Sequence, residues 1–577
     1  MFIIPKPQEM TVYDEKLSFD GFDVKCDNEK TGSFFDKLND KKGTAAEVKK
    51  DGSLNGEQYK ITAKNGKITV LYGTDEGAYR AAATLKQIKA QAEDGMLNAF
   101  EIFDYPSIKN RGYMLDISRG KIPNSETIKN LVDILSDLKY NQLQLYMDSF
   151  VFEYKNFPEY VKDTEPLTAK EIKELEKYCK DRFVELVPNQ NGFGHMGSWM
   201  KKEELLHLAI TGKDGKPSQT LNPFLEGSVE LIDKIYDGFL DIFHSDKVNI
   251  GMDEPFELGL NETKEECERA GVGRVYTDYL KKICALASDK YGKTPMFWDD
   301  IVFKHPEEIV NIPKNAIVME WGYETEQHFD RNCRRLKEQG LRFYVCPGTS
   351  TWGSFTGRTN NMLANITDAC ETGAYYGAEG FLLTEWGDGG NPQFPAVTYL
   401  PLVYGGAASW NCGNHNHEIA YNDRRTLIPD CKKYLDKYIY KIEGEASLAD
   451  IVSRMGNYYL LEDMLSFNGT ELINYLYTAK NPEKEKRAGF KRAAEYMKGL
   501  RDELKNVKTD EITLREVKND CELVILLAEY MSGKKDDYEK RANAIKEEFT
   551  YLWKLKNHTA GMEIFLNCLD KYLKIEL

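Results

Sequence analysis

The feature that most constrains this chain is a rhythm. Between Arg111 and Asp388, eight apolar runs of strand length alternate with stretches of helical periodicity. The runs are RGYMLDIS, NQLQLYMD, RFVELVPNQ, KVNIGMD, TPMFWDD, AIVMEWG, LRFYVCPG and GFLLTEWGD. Helices fill the intervals, such as SETIKNLVDILSDLK, with Ser125 as its N-cap, and VYTDYLKKICALASDKYG, closed by Gly292. Eight strand-plus-helix units over about 300 residues meet the requirement of a closed α/β barrel, the (β/α)8 or TIM barrel. An open doubly wound sheet would want a glycine-rich phosphate turn after its first strand, and DISRGKIPN is not one.

The chain has 577 residues, too many for a single core, so about two to four domains are expected. Ahead of the barrel, QYKITAK and KITVLYG are joined by an Asn65-Gly66 turn and pass into the helix DEGAYRAAATLKQIKAQA. Residues 1–105 therefore read as a small N-terminal α/β domain and 106–420 as the barrel. Beyond that the strands stop. SLADIVSRMGNYYLLEDMLSF, EKRAGFKRAAEYMKGLRDELKNV and REVKNDCELVILLAEYMSG are amphipathic or apolar helices, so 421–577 reads as a C-terminal helical domain. Whether that tail closes a homodimer or only braces the barrel is left open.

Composition narrows the partners. Lys plus Arg number 77 against 93 Asp plus Glu, a net charge of −16, which repels nucleic acid phosphates and anionic membranes alike. No window approaches the roughly 18 apolar residues of a membrane span. The opening MFIIPKPQEM carries an apolar run too short for a secretory signal. Eleven cysteines are scattered without a CxxC grouping, which reads as reduced thiols in a cytoplasmic protein. Eight histidines offer no HExxH spacing, so neither a metal nor another cofactor is expected.

A barrel builds its active site at the C-terminal ends of its strands. Seven of the eight runs end in a chemically capable side chain: Asp116, Asp148, Asn189 with Gln190, Asp253 with Glu254, Trp298 with Asp299 and Asp300, Trp321, and Trp386 with Asp388. Helix capping alone would not collect so many acids beside three indoles. Aromatic walls with interspersed carboxylates suit a sugar, whose C–H faces pack on indole while polar groups hold its hydroxyls. Paired acids suit glycosidic cleavage, which needs a proton on the leaving oxygen. Adjacent residues of a strand point to opposite faces, so Asp253 and Glu254 make an opposed pair about 5 Å apart only if the strand end is twisted open. A different division of labour follows, with Asp253 orienting a substrate group and Glu254 protonating the leaving group.

At this point NIGMDEP resembles the fourth-strand motif of the family-20 glycoside hydrolases, the β-N-acetylhexosaminidases, usually Gly-x-Asp-Glu. IPKPQEM and DEGAYRAAATLKQI resemble the small N-terminal domain of that family, DYPSIKNRGYMLDISR its approach to the barrel, and EWGDGG its eighth-strand motif. The resemblance runs from about residue 1 to 410 and implies a retaining, exo-acting enzyme in which the substrate's 2-acetamido oxygen is the nucleophile. By position it implies that Asp253 orients the acetamido group and Glu254 acts as general acid, then base. Arg111 would reach ring hydroxyls, and Trp298, Trp321 and Trp386 would surround the N-acetyl methyl. Asp388 would hold outer hydroxyls, with Asp148 and His195 supporting the acid pair.

The chain departs from the family pattern in three places. Its second strand ends in LYMDSF, and its third-strand loop is NQNGFGHMGSW. The seventh strand leads to Trp352 where the family has a tyrosine, so Tyr323, after the sixth, is assigned to the acetamido oxygen. The alternatives are a related exo-β-glycosidase without the acetamido requirement, such as a β-galactosidase-like enzyme, and a sugar-binding barrel without catalysis.

Overall fold

A computed structural model describes residues 1–40, 43–162, 164–412 and 427–574. The expected boundary between barrel and tail at residue 420 lies outside the described residues. The chain opens with a six-stranded sheet: β1 (Glu9–Ser18), β2 (Phe22–Cys26), β3 (Thr44–Lys50), β4 (Tyr59–Lys64), β5 (Lys67–Tyr72) and β6 (Met96–Asp104), ordered β1-β6-β4-β5-β3-β2. Asn65 and Gly66 both adopt positive φ, 52° and 70°, the two-residue turn that matches the twist of a hairpin, and β4 pairs antiparallel with β5 across it. The helix Asp75–Lys89 buries Ala78, Ala81, Ala82, Leu85 and Ile88, one face at helical spacing, against this sheet.

The barrel follows. Strands β7 (Asn110–Asp116), β8 (Gln142–Met147) and β9 (Glu185–Gln190) precede a short hairpin, β10 (Ala209–Thr211) with β11 (Pro217–Leu221). Then come β12 (Lys247–Asn249), β13 (Thr294–Trp298), β14 (Ile317–Trp321), β15 (Arg342–Cys346) and β16 (Gly380–Glu385). The eight barrel strands close in the order β12-β13-β14-β15-β16-β7-β8-β9, parallel throughout. All eight coincide with the apolar runs of the sequence, so the (β/α)8 barrel is the observed fold.

Strand alternation divides the side chains between two environments. Val248, Phe297, Val318, Phe343 and Phe381 pack outward under the helices, while Met114, Val187, Met296, Met319 and Leu382 fill the interior. Part of the interior is polar: Gln144 Oε1 accepts from Asn189 Nδ2 at 3.0 Å and from Asn249 Nδ2 at 3.2 Å. Asn189 is thus committed to the barrel core, and Gln190 accepts from the Tyr154 hydroxyl. The helix after β7 begins one residue earlier than its sequence suggests. Asn124, not Ser125, is its N-cap, its side chain accepting from Thr127 N at 2.9 Å.

After β16 the described chain is helical. Pro395–Trp410 completes the barrel, and Leu427–Tyr434, Leu448–Met455, Glu471–Thr478, Arg487–Glu503, Glu511–Met531, Tyr538–Lys556 and Met562–Tyr572 form the tail. The tail shares one apolar core with the barrel exterior, through contacts such as Phe394 on Phe549 and Phe355 on Phe565. The N-terminal sheet keeps a core of its own. No helix of the described residues is long and apolar enough to cross a membrane.

Candidate active site

The strand that carries the acid pair is short. β12 ends at Asn249, and the chain then turns through Gly251, Met252 and Glu254 at φ of 71°, 77° and 49°. Left-handed backbone at a buried Met and a Glu is unfavourable and persists only where neighbours enforce it. Here Gly251 N donates to Asn249 Oδ1 at 3.0 Å, Gly251 O accepts from Trp298 N at 3.0 Å, and Glu254 O accepts from Phe256 N at 2.7 Å. Because the strand has ended, pleat alternation does not separate the two acids. Both reach one imidazole: His195 Nε2 lies 3.1 Å from Asp253 Oδ2 and 3.3 Å from Glu254 Oε2.

His195 stands on the loop after β9. Burial alone would lower its pKa, but the charge of Asp253 and hydrogen bonds to both acids outweigh that and raise it to about 10. Asp253 is buried, which disfavours its charge; His195 and a 2.7 Å hydrogen bond from Asn191 Nδ2 prevail and hold it below the usual carboxylate range. Asp253 is therefore an anion beside an imidazolium at neutral pH, and the more exposed Glu254 faces the opening.

Around them is a pocket of about 90 Å³ lined by Arg119, His195, Asp253, Glu254, Trp298, Trp321, Tyr323, Trp386, Asp388 and Asn468. Trp386 meets Trp298 at 5.8 Å between ring centres, and Trp321 stacks on Tyr323 at 5.0 Å. The Tyr323 hydroxyl accepts from Trp386 Nε1 at 2.8 Å and also meets the Thr384 hydroxyl. A larger groove of about 960 Å³, lined by Asn141, Arg182, Phe183 and Glu185, lies at the other end of the strands. No indole lines it. Converging charge and aromatic rings mark the site, not size.

Most residues expected from sequence come together here: Asp253, Glu254, His195, Trp298, Trp321, Tyr323, Trp386 and Asp388. Three stand elsewhere. Arg111 is a correction. It is the second residue of β7, and five steps of about 3.3 Å each separate it from the mouth at Asp116. It is buried at the opposite end, where Nη2 pairs with Glu57 Oε1 at 2.5 Å and Nε donates to Lys139 O at 2.9 Å. Trp352 stands behind the wall, edge-on to Tyr323 at 5.0 Å. Asp148 lies 4.0 Å from Arg119 and accepts from the Tyr146 hydroxyl at 3.3 Å; burial raises its pKa, with Arg119 opposing.

The guanidinium in the pocket is that of Arg119. Its Nη1 donates to Asp116 Oδ2 at 2.6 Å, its Nε lies 3.5 Å from Asp388 Oδ1, and its plane sits 4.9 Å over the Trp386 ring. Asp116 also accepts from Gly387 N at 2.9 Å and so ties the first and last strand loops together. Arg119 follows the C-terminal end of the first strand in DISRG, a position the strand-end rule could have supplied. Asn468, from the helical tail, carries no such local signal. Behind the indoles, Asp299 and Glu320 are buried together. Burial, then the charge of Glu320, pushes Asp299 up, and burial raises Glu320 to about 7. Asp300 is lifted to about 7 by burial and by Asp253.

Comparison with known proteins identifies the family and the fold. The family model for glycosyl hydrolase family 20, domain 2, matches residues 1–105, and that for the family-20 catalytic domain matches residues 109–372. The β-hexosaminidase subunit alpha of Rattus norvegicus is 23% identical over 308 residues, 50% of this chain and 57% of that protein. This chain thus spans little more than half the length of that curated relative. The solved structure of Flavobacterium johnsoniae chitobiase aligns over 98% of both chains with a TM-score of 0.61 at 16% identity. A β-N-acetylhexosaminidase from Bacteroides fragilis aligns over 74% of this chain and 96% of its own, with a TM-score of 0.59 at 18% identity. At these identities the structural likeness speaks for the fold.

Proposed function

Because the chain belongs to glycosyl hydrolase family 20, we propose that it is an exo-acting, retaining β-N-acetylhexosaminidase that removes a terminal N-acetylhexosamine with help from the substrate's own acetamido group. The observation that carries this reading is the single imidazole shared by Asp253 and Glu254. An ordinary retaining glycosidase places its nucleophile across the anomeric carbon from its acid, with the carboxyls about 5–5.5 Å apart. Two consecutive residues gathered on one histidine are not placed across the anomeric carbon from each other, which supports a nucleophile supplied by the sugar. Asp253, held as an anion, accepts the acetamido N–H and balances the positive charge that grows on that group. The Tyr323 hydroxyl donates to the acetamido oxygen and aims it at C1.

In the first step that oxygen bonds to C1 as the C1–O bond to the aglycone breaks, and Glu254 passes its proton to the departing oxygen. In the second, Glu254 takes a proton from water, whose oxygen bonds to C1 and reopens the oxazolinium ring. Two inversions retain the β configuration. Trp298, Trp321 and Trp386 exclude water from the acetamido methyl, while Arg119 and Asp388 address ring hydroxyls.

A cytoplasmic location is part of the proposal, supported by buried thiols such as Cys179, Cys284 and Cys431; fractionation of the native cells tests it. For the chemistry, Glu254→Gln should lower turnover about 10²- to 10⁴-fold, less for leaving groups that need no proton. A thiazoline mimic of the cyclised intermediate should inhibit strongly. Full turnover by Glu254→Gln, or faster cleavage of a β-galactoside than of a β-N-acetylglucosaminide, would end the assignment.

A further inference from the structure

The pocket has one wall that the barrel does not supply. Asn468 comes from the helical tail, 116 positions beyond Trp352, yet it lines the pocket with Arg119, Tyr323 and Asp388. Its loop is fastened to the barrel at three points. Asn468 N donates to Glu324 Oε1 at 2.7 Å, Thr470 N donates to Gly353 O at 2.9 Å, and Trp352 Nε1 donates to Asn468 Oδ1 at 3.0 Å. Glu324 is itself held by the buried Arg358 at 3.0 Å. The backbone of Asn468 is left-handed, φ 57°, and a Cβ on Gly353 would fall 2.6 Å from the Asn468 carbonyl oxygen, so the approach is close.

The Trp352 bond settles which way the amide faces. An indole N–H can only donate, so the atom opposite it is the amide oxygen, and Nδ2 keeps two hydrogens. Neither has an acceptor among the described residues. Of the anchoring partners, Trp352 and Gly353 follow β15, which stands opposite β9, the strand whose loop carries His195, and three strands from β12 with its acid pair; Glu324 follows the neighbouring β14. A sugar whose anomeric carbon lies at Glu254 therefore presents its far edge to Asn468.

We propose that Asn468 is a specificity-determining residue whose Nδ2 donates to a hydroxyl on the edge of the terminal sugar remote from the leaving group. The helical tail then completes the active site as well as bracing the barrel. This rests on the hexosaminidase reading of the pocket.

The test compares wild type, Asn468→Ala and Asn468→Asp on a p-nitrophenyl β-N-acetylglucosaminide and its 3-, 4- and 6-deoxy analogues, with thermal melts as a fold control. Wild type should lose about 5- to 10-fold in kcat/KM on one analogue, the share of one neutral hydrogen bond. Asn468→Ala should lose a similar factor on the parent and nothing further on that analogue. Asn468→Asp, which keeps the acceptor and removes the donor, should match alanine, and it stands in if alanine fails to fold. Trp352→Phe, which frees the amide to turn, should erode the same discrimination. Wild-type efficiency in both Asn468 variants, or equal losses on the parent and every analogue, would overturn the assignment. A wild type inert on the parent sugar would instead overturn the hexosaminidase reading beneath it.

Discussion

Arg111 and Arg119 sit eight positions apart and serve opposite ends of one strand. Arg119 has its guanidinium fixed by Asp116 and flattened on Trp386, a planar fork that a lysine cannot reproduce. Arg119→Lys should lower kcat/KM by roughly 10²-fold with little change in melting temperature, the scale of a misplaced substrate. Arg111→Lys should do the reverse, losing stability while the folded fraction keeps its kinetics; the two variants measured side by side decide it. The acid pair was legible in the sequence because its members are consecutive and end an apolar run. Arg111 misled because residue type was weighed without the length of the strand. Asn468 was invisible because folding alone brings it to the mouth. His195 yields a pH prediction. Its folded pKa near 10 exceeds the ordinary value of about 6.5, so its contribution to stability is complete below about 6.5. That contribution drains away as pH rises toward 10, where the native state sheds the extra proton. Urea midpoints of wild type should therefore fall between pH 7 and 9.5 more steeply than those of His195→Gln; parallel slopes would contradict the ion pair.

Among the elements, the loop after β12 holds two non-glycine residues, Met252 and Glu254, in left-handed backbone. The eight strands could be found from alternation and turn residues because burial on both faces imposes an apolar run. The same logic could not show that β12 is only three residues long, nor that the chain beyond it enters left-handed space at Met252 and Glu254. The small β10–β11 hairpin was equally hidden, being too short to leave a periodic pattern. What holds the acid loop down is a close backbone approach: a Cβ on Gly194 would lie 2.0 Å from the Asp253 carbonyl oxygen. Gly194→Ala must push the His195 and Asp253 loops apart. Displacement of about 1 Å at reacting groups costs roughly 10² in rate, so kcat/KM should fall at least that far, and the melting temperature should fall too because backbone atoms must move to admit the methyl. Steady-state kinetics with a thermal melt will show this, and unimpaired turnover would mean that the contact does not set the geometry.

Across the whole molecule, the two flanking regions are attached by different physics. The helical tail shares an apolar core with the barrel, whereas the N-terminal sheet has a core of its own, joined from the barrel side by Trp410, and meets the barrel through buried charge as well. Glu57 lies between two guanidiniums, with Oε1 2.9 Å from Arg80 Nε and 2.5 Å from Arg111 Nη2, and all three side chains are buried. Nearby, Lys139 Nζ pairs with Asp104 Oδ2 at 2.7 Å, and Trp410 Nε1 donates to Asp104 Oδ1 at 2.8 Å. Such pairs contribute little net stability when intact, but removing one partner leaves the others charged and desolvated, a cost of about 3–5 kcal/mol. Glu57→Gln should therefore destabilise the protein by about that amount in urea titrations at pH 7. Its kcat/KM should stay near wild type at low temperature, since the pocket lies at the far end of the strands. The sign with pH follows from the charge balance. Burial raises the pKa of Glu57, but Arg111 and Arg80 outweigh it and hold the carboxyl below its ordinary value. Its stabilising share is thus complete above about pH 4.3 and is lost as pH falls through the depressed folded value. The gap between wild type and Glu57→Gln should accordingly be full at pH 7, persist to pH 5 and close only in stronger acid; a gap that closed near neutrality, or a variant that lost turnover as Arg119→Lys does, would show that the charged seam does not work independently of the active site.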